Sequence, residues 1–428
     1  MRSLALVFLL SAALPSTAAA QATAAPLETA RVPARLTLDE ALRIAESRSP
    51  ALLEAQARTA AAGAEALGAS KRPNPTLDVE FRGYPLFEPD LPPFLDNQEL
   101  TIAIDQEFEP GDRRRRRQDV AHFGVQASEA GGLDVLRRLR VDVQRTYFQV
   151  VLATSEADAA KATLDDVDRV VSINRARYEQ GELSGVELRR LQVERHRFAD
   201  DSLLADLGLR NARSRLLALL GMRPLDQPFD VADTLPDAGA LPPAEPALAA
   251  GTGQPRADVQ ALQLEEQRAE ADAKLQHALR IPPFSLGGGW QRDFGTNAIV
   301  VRATIPLALS NRNEAGRARA AAERSLAASR TAAASAAAEL EVQLARNAVE
   351  NSRARVSRIS SEYVKNAREA RDIVLAAYRA GAATLIDYLD AQRAFRDARR
   401  AELRALFDYR VSVFELEAAV GTSQSRRP

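Results

Sequence analysis

The 428-residue chain contains no cysteine. Disulfides, thiolate metal centres, a cysteine nucleophile and lipidation through an amino-terminal cysteine are therefore excluded. Aromatic residues make up only 5%, with a single tryptophan, which is low for a conventional globular core. Lysine occurs only at Lys71, Lys161, Lys274 and Lys365, so almost all positive charge is arginine. A net charge of −1 gives no electrostatic footprint for a nucleic-acid partner. No segment after the amino terminus has the ~18 consecutive apolar residues that a transmembrane helix requires. Proline is missing between Pro110 and Pro224, and again between Pro306 and Pro428. Because proline costs about 3 kcal/mol inside a helix, two exempt runs of this length predict helix.

What is present is a duplication. Tyr178, Gly181, Glu187, Gln192, Leu203, Arg210 and Gly221 reappear 200 residues later as Tyr378, Gly381, Asp387, Gln392, Leu403, Arg410 and Gly421. Further upstream the offset is 207, from Pro75 to Pro282. A period this long is a duplicated module and not a solenoid repeat, whose unit is about 20 to 50 residues. Residues 1–22 have the form of a secretory leader: Arg2, the apolar stretch Leu4 to Leu14, then Ala18 to Ala20, with cleavage after Ala20 or Ala22 fitting equally. Residues 23–36 are expected to be a disordered extension. The first repeat is assigned to 37–224, a Pro/Ala-rich linker to 225–254, the second repeat to 255–421 and a tail to 422–428.

Thr37 and Glu40 have the spacing of a capping box, followed by a helix to about Ser70 that Pro50 should break. A helix from about Arg114 to Tyr178 would be roughly 95 Å long at 1.5 Å per residue, which implies coiled-coil-like assembly. Gly131–Gly132 is its one local weakness. Strands are expected at about 76–83, 99–108, 284–291 and 298–306. Leu77, Val79 and Phe81 alternate with Asp78, Glu80 and Arg82, and Leu100, Ile102 and Ile104 with Thr101, Ala103 and Asp105. Such alternation gives one apolar and one polar face. It fits a half-buried hairpin or a transmembrane β-barrel with lipid outside, and an export leader favours the barrel. Two hairpins supply four strands where a barrel needs at least eight, so several chains must share one.

Leu36-Thr-Leu-Asp-Glu-Ala-Leu42, Ser49-Pro-Ala-Leu52, the strand exit Pro306 to Gly316 and the turn Tyr378 to Ala391 resemble the outer-membrane efflux channels of the TolC type. They are most similar to the CzcC-like heavy-metal branch. The resemblance spans about residues 37 to 421. It implies a mainly α fold with a small β part: a duplicated module of long antiparallel helices and β-hairpins, three copies of which form a 12-stranded transmembrane β-barrel on a periplasmic α-helical barrel. It implies a homotrimer in outer-membrane lipid that serves passively with a periplasmic adaptor and an inner-membrane pump. Heavy-metal cations are the implied substrate. Drug efflux and type I protein secretion are the alternatives, and a periplasmic adaptor or structural coiled coil is a different class that the duplication disfavours.

The resemblance also assigns residues. Asp387 and Asp390 match acidic residues that line the periplasmic aperture. Tyr378 and Glu187 match two members of a closing network whose third member, an arginine, falls on Ala383; Arg379 or Arg190 could substitute. Gly181, Leu183 and Ser184, with Gly381, Ala383 and Thr384, match the tips that meet the adaptor. Arg113 to Arg117 follow a strand and could reach lipid phosphates or simply begin a solvated helix. His122, His196 and His277 lack ligand spacing, so no metal site, cofactor or catalytic set is expected.

Overall fold

The computed structural model describes residues 31–83, 98–239, 241, 256–293 and 295–421. The leader, most of the expected extension, much of the linker and the tail lie outside the described residues. In chain order the elements are β1 (Arg35–Leu36), α1 (Leu38–Arg48), α2 (Pro50–Ser70), β2 (Thr76–Arg82), β3 (Glu99–Phe108), α3 (Arg113–Glu179), α4 (Gly185–Leu219), β4 (Asp230–Val231), α5 (Ala257–Ala278), β5 (Phe284–Asp293), β6 (Thr296–Thr304), α6 (Glu314–Arg358), a π-helical turn (Ile359–Val364), α7 (Lys365–Arg379) and α8 (Leu385–Val420).

Local chemistry explains the breaks. Thr37 and Glu40 form the reciprocal capping box that opens α1. Pro50 begins α2 from an extended Ser49, because the residue before a proline is driven out of helical geometry. The 67 residues of α3 run about 100 Å and pass Gly131–Gly132 without interruption. The second copy of that rod contains the π-helical turn, which no breaker residue in the sequence announces.

The helices form a wall four rods wide. α2 and α5 lie beside the first half of α3, and α4 and α8 beside its second half; α6 and α7 pack on α5 and α8. Where α4 ends near α1, and α8 near the start of α5, each end is closed by a glycine with positive φ, Gly221 at 68° and Gly421 at 85°. A Cβ on Gly221 would sit 3.2 Å from the Arg48 carbonyl. Buried Arg137 donates to Asp134 at 2.7 Å and to the Ala418 carbonyl in the last turn of α8. Buried Arg256 binds Asp258 at 2.6 Å and Glu341 at 2.7 Å. Pairing of this kind is what makes a buried guanidinium tolerable.

Three expectations change at this level. Residues 31–36 are not a disordered extension: Val32 and Leu36 are buried in the core around Tyr147, Phe148 and Leu216. β1 pairs in parallel with β4, and the Tyr147 hydroxyl donates to the Leu36 carbonyl at 2.9 Å and to Asp233 at 2.5 Å. Residues 230–233, expected in the linker, are thus part of the folded body. The arginine run is also reassigned. Arg113 is buried and donates to the carbonyls of Leu279 and Ile281, just past the end of α5. Arg114 donates to Ser70, the last residue of α2, at 2.8 Å, and Arg117 ion-pairs with Glu109. Cations suit helix carboxyl ends, where carbonyls lack partners. These side chains therefore lock α2 and α5 against α3 and do not reach for lipid.

One antiparallel sheet, in the order β2-β3-β5-β6, joins both hairpins. The register puts Leu77 opposite Ile104, Val79 opposite Ile102, Ile102 opposite Trp290 and Trp290 opposite Ile299. One face is therefore apolar across all four strands.

Candidate functional site

Both hairpin turns are built alike. Gly181 (φ 76°) and Gly381 (φ 80°) end α3 and α7 in the left-handed region. The amides of Glu182 and Ala382 return to the carbonyls of Arg177 and Ala377, each at 2.8 Å, a wrapping that only a positive-φ residue allows without strain. Ser184 and Thr384 then cap α4 and α8. Leu183 and Ala383 are half-buried, while Gly181, Ser184, Gly381 and Thr384 are exposed.

The copies differ beyond the turn. Thr384 forms a full capping box, with Asp387 accepting from its amide at 2.9 Å and its hydroxyl at 2.7 Å. These hydrogen bonds from Thr384 hold the Asp387 carboxyl below its ordinary value. Asp390 lies one turn on, 3.0 Å from Arg393. Arg393 also reaches Glu194 of α4 at 2.5 Å. Asp387 and Asp390 are both exposed.

Tyr378 is buried, stacks on Tyr388 with ring centroids 5.8 Å apart, and donates to Asn174 Oδ1 at 2.7 Å. Burial pushes its hydroxyl above the ordinary value and pushes Tyr388 to about 12. Tyr378 thus ties the α7/α8 pair to the α3/α4 pair through Asn174, and Glu187, half-buried at the start of α4, is not its hydrogen-bond partner. Asn174 went unnoticed in the sequence. Its signal is a buried amide on the stripe of Val167, Val170 and Val171, where an apolar residue is the norm. Among the described residues neither Arg190 nor Arg379 hydrogen-bonds the Tyr378 hydroxyl, and the charge of Arg177 of α3 acts on it.

At the sheet the apolar face is open: Leu77, Val79, Ile104, Ile299 and Val301 are each more than half exposed. The opposite face carries Asp78, Glu80, Arg82, Glu99, Asp105, Glu107, Asp293 and Arg302. Among the described residues no helix is long and apolar enough to cross a membrane, and no group of three or more His, Asp or Glu is gathered to hold a metal. The histidines lie exposed on three separate helices.

An exposed apolar sheet on one end of a wall of rods about 100 Å long is the build of an outer-membrane channel subunit. Residues 41–222 and 253–422 match the family model of the outer membrane efflux proteins, and the chain belongs to that family. It resides in the cell outer membrane with its long helical part in the periplasm. Over 303 residues it is 24% identical to the cobalt-zinc-cadmium resistance protein CzcC of Cupriavidus metallidurans, covering 70% of this chain and 71% of CzcC. Its fold is similar to VceC of Vibrio cholerae (TM-score 0.72, 19% identity, 90% of this chain and 96% of VceC). It is also similar to CusC (0.74, 17%, 92% and 96%) and to CmeC of Campylobacter jejuni (0.74, 17%, 91% and 87%).

Proposed function

We propose that three copies of this chain join their sheets into a twelve-stranded barrel and their helical walls into a periplasmic tube. The observation that carries this reading is the four-stranded sheet itself. Its apolar face is exposed, and among the described residues β2 and β6 are edges with no further strand paired to them. Open edges in hydrocarbon leave backbone groups unpaired at several kcal/mol each, so the sheet must close, and four strands are too few. The lateral helices agree: Val193, Leu203 and Leu204 on α4, and Leu340 and Leu344 on α6, are each more than half exposed. Those are the two outer rods of the wall, where a second copy would cover them.

The conduit is passive. An inner-membrane pump supplies energy, and a periplasmic adaptor meets the tips at Gly181, Leu183, Ser184, Gly381, Ala383 and Thr384. The exposed Asp387 and Asp390 of three copies line the aperture. Tyr378 holds the two helix pairs of one chain together there, with Glu187 close by. The cargo is heavy-metal cations, a reading that the similarity to CzcC supports. Expression in a host lacking its own copy tests all of this together. The protein should fractionate with outer membranes, run as a trimer and restore tolerance to divalent metals. Recovery of a soluble monomer would end the channel reading. A trimer that restores drug tolerance and leaves metal tolerance unchanged would move the cargo to drugs.

A further inference from the structure

Arg302 lies on the polar face of β6, yet its guanidinium reaches Asp105 of β3 at 3.5 Å and Asp78 of β2 at 3.3 Å. The strand order places β5 and β3 between Arg302 and Asp78, so the Arg302–Asp78 pair bridges the polar face from one edge strand to the other. Gly287 makes that possible. It is the register partner of Arg302 on one side and of Asp105 on the other. A Cβ on Gly287 would fall 2.0 Å from Asp105 Oδ1 and 3.0 Å from the Ile104 carbonyl. Only glycine leaves a channel across the strand in which the three charged groups can lie flat. Glycine inside a strand weakens it, so its presence here calls for a compensating contact, and the ion triad supplies one.

The triad sits in a biased field. Among the described strand residues the polar face holds six carboxylates (Asp78, Glu80, Glu99, Asp105, Glu107, Asp293) and two guanidiniums (Arg82, Arg302), a net charge of 2 − 6 = −4. Two neighbouring carboxylates on such a face would attract and hold a divalent cation, whereas conduction requires attraction weak enough for release. Resting on the barrel reading above, we infer that Arg302 is a specificity-determining residue of the pore. It is a built-in counter-ion that occupies the space between Asp78 and Asp105, so that the outer-membrane lumen draws divalent cations in without trapping them. It also straps the outer strands of the sheet across the lumen side.

The absence of cysteine makes the local field directly measurable. A Thr304→Cys variant puts a single thiol on the polar face, two residues from Arg302, and Val301→Cys puts one on the apolar face. In the full-length trimer in lipid vesicles, both are treated with methanethiosulfonates of either charge. Thr304→Cys should react faster with the cationic reagent. Adding Arg302→Gln should raise the cation-to-anion rate ratio about fivefold, as expected for losing one unit charge roughly 8 Å away in water. It should also make the reaction sensitive to divalent cations such as Mn²⁺. Asp78→Asn should lower the ratio, and Arg302→Lys should leave it near its starting value. If the ratio is indifferent to both Arg302→Gln and Asp78→Asn while Val301→Cys stays protected, Arg302 does not set the pore charge. If Val301→Cys reacts as fast as Thr304→Cys, the barrel reading fails and takes this inference with it.

Discussion

Tyr178 and Tyr378 occupy equivalent places in the two copies, yet Tyr178 is 47% exposed and Tyr378 only 9%. Within one chain Tyr378 meets Asn174, whose counterpart 200 residues on is Val374. The amide captures the Tyr378 hydroxyl, and the Tyr378 and Tyr388 rings then stack within the cluster formed by Val167, Leu191 and Phe198. Tyr378→Phe leaves Asn174 Oδ1 buried without its donor. Such a loss costs about 1–3 kcal/mol, so the variant trimer should unfold at lower denaturant concentration. The pH sign follows from the raised hydroxyl values. Both tyrosines are protonated in the folded and unfolded states at neutral pH, and their burial is tolerated there. Above an ordinary value of 10.0 the unfolded state ionises first, so stability falls as pH rises from about 10 through the raised folded values, about 12 for Tyr388. Denaturant midpoints measured across that range should fall less steeply in Tyr378→Phe, because one of the two groups is gone. An unchanged midpoint and slope would mean that the Tyr378–Asn174 bond contributes nothing.

Among the elements, the two turns are the most exchangeable parts of the duplication, with the same φ, the same returning hydrogen bonds and a hydroxyl cap three residues on. A Cβ at either glycine meets nothing within 4 Å, so Gly181→Ala and Gly381→Ala test backbone conformation alone. Each should cost about 1 kcal/mol, the penalty of an L-residue in the left-handed region, read from denaturant midpoints. Much of this level was legible in the sequence. Proline-free runs mark the long helices because proline is excluded from helix interiors, and period-two alternation marks the strands because both faces of the sheet differ in solvent. β1 and β4 were not legible. Each is two residues long, and they pair backbone to backbone across 195 positions, a contact that leaves no periodicity. The arginine run was misread for a related reason: its acceptors are carbonyls at Ser70, Leu279 and Ile281, and a backbone carbonyl has no signature in sequence. The Thr384–Asp387 capping box was not among the sequence readings, and the pairing of Arg393 with both Asp390 and Glu194 depends on how α8 meets α4.

At the scale of the assembled molecule, the duplicated wall makes each chain nearly two equivalent hairpins, but only the second carries an aspartate pair after its turn. Glu187 and Asp390 have as counterparts Asp387 and Arg190, so the first hairpin presents one acid and a nearby arginine where the second presents two acids. Three copies of the second hairpin would bring six carboxylates to one opening, and rings of this kind favour cations. Asp387 is already engaged by Thr384, so replacing it with alanine would remove a helix cap together with the charge. The Asp387→Asn, Asp390→Asn double variant keeps an acceptor oxygen for Thr384 and removes only the charge. In planar bilayers its cation selectivity should fall and its block by trivalent cations added on the periplasmic side should be lost, while the unmodified channel shows both. Because the folded Asp387 carboxyl lies below its ordinary value of 3.8, its charge and its cap are both present above that pH. They are lost only as pH falls through the lowered value. Equal selectivity and block in the two channels would remove these aspartates from the aperture.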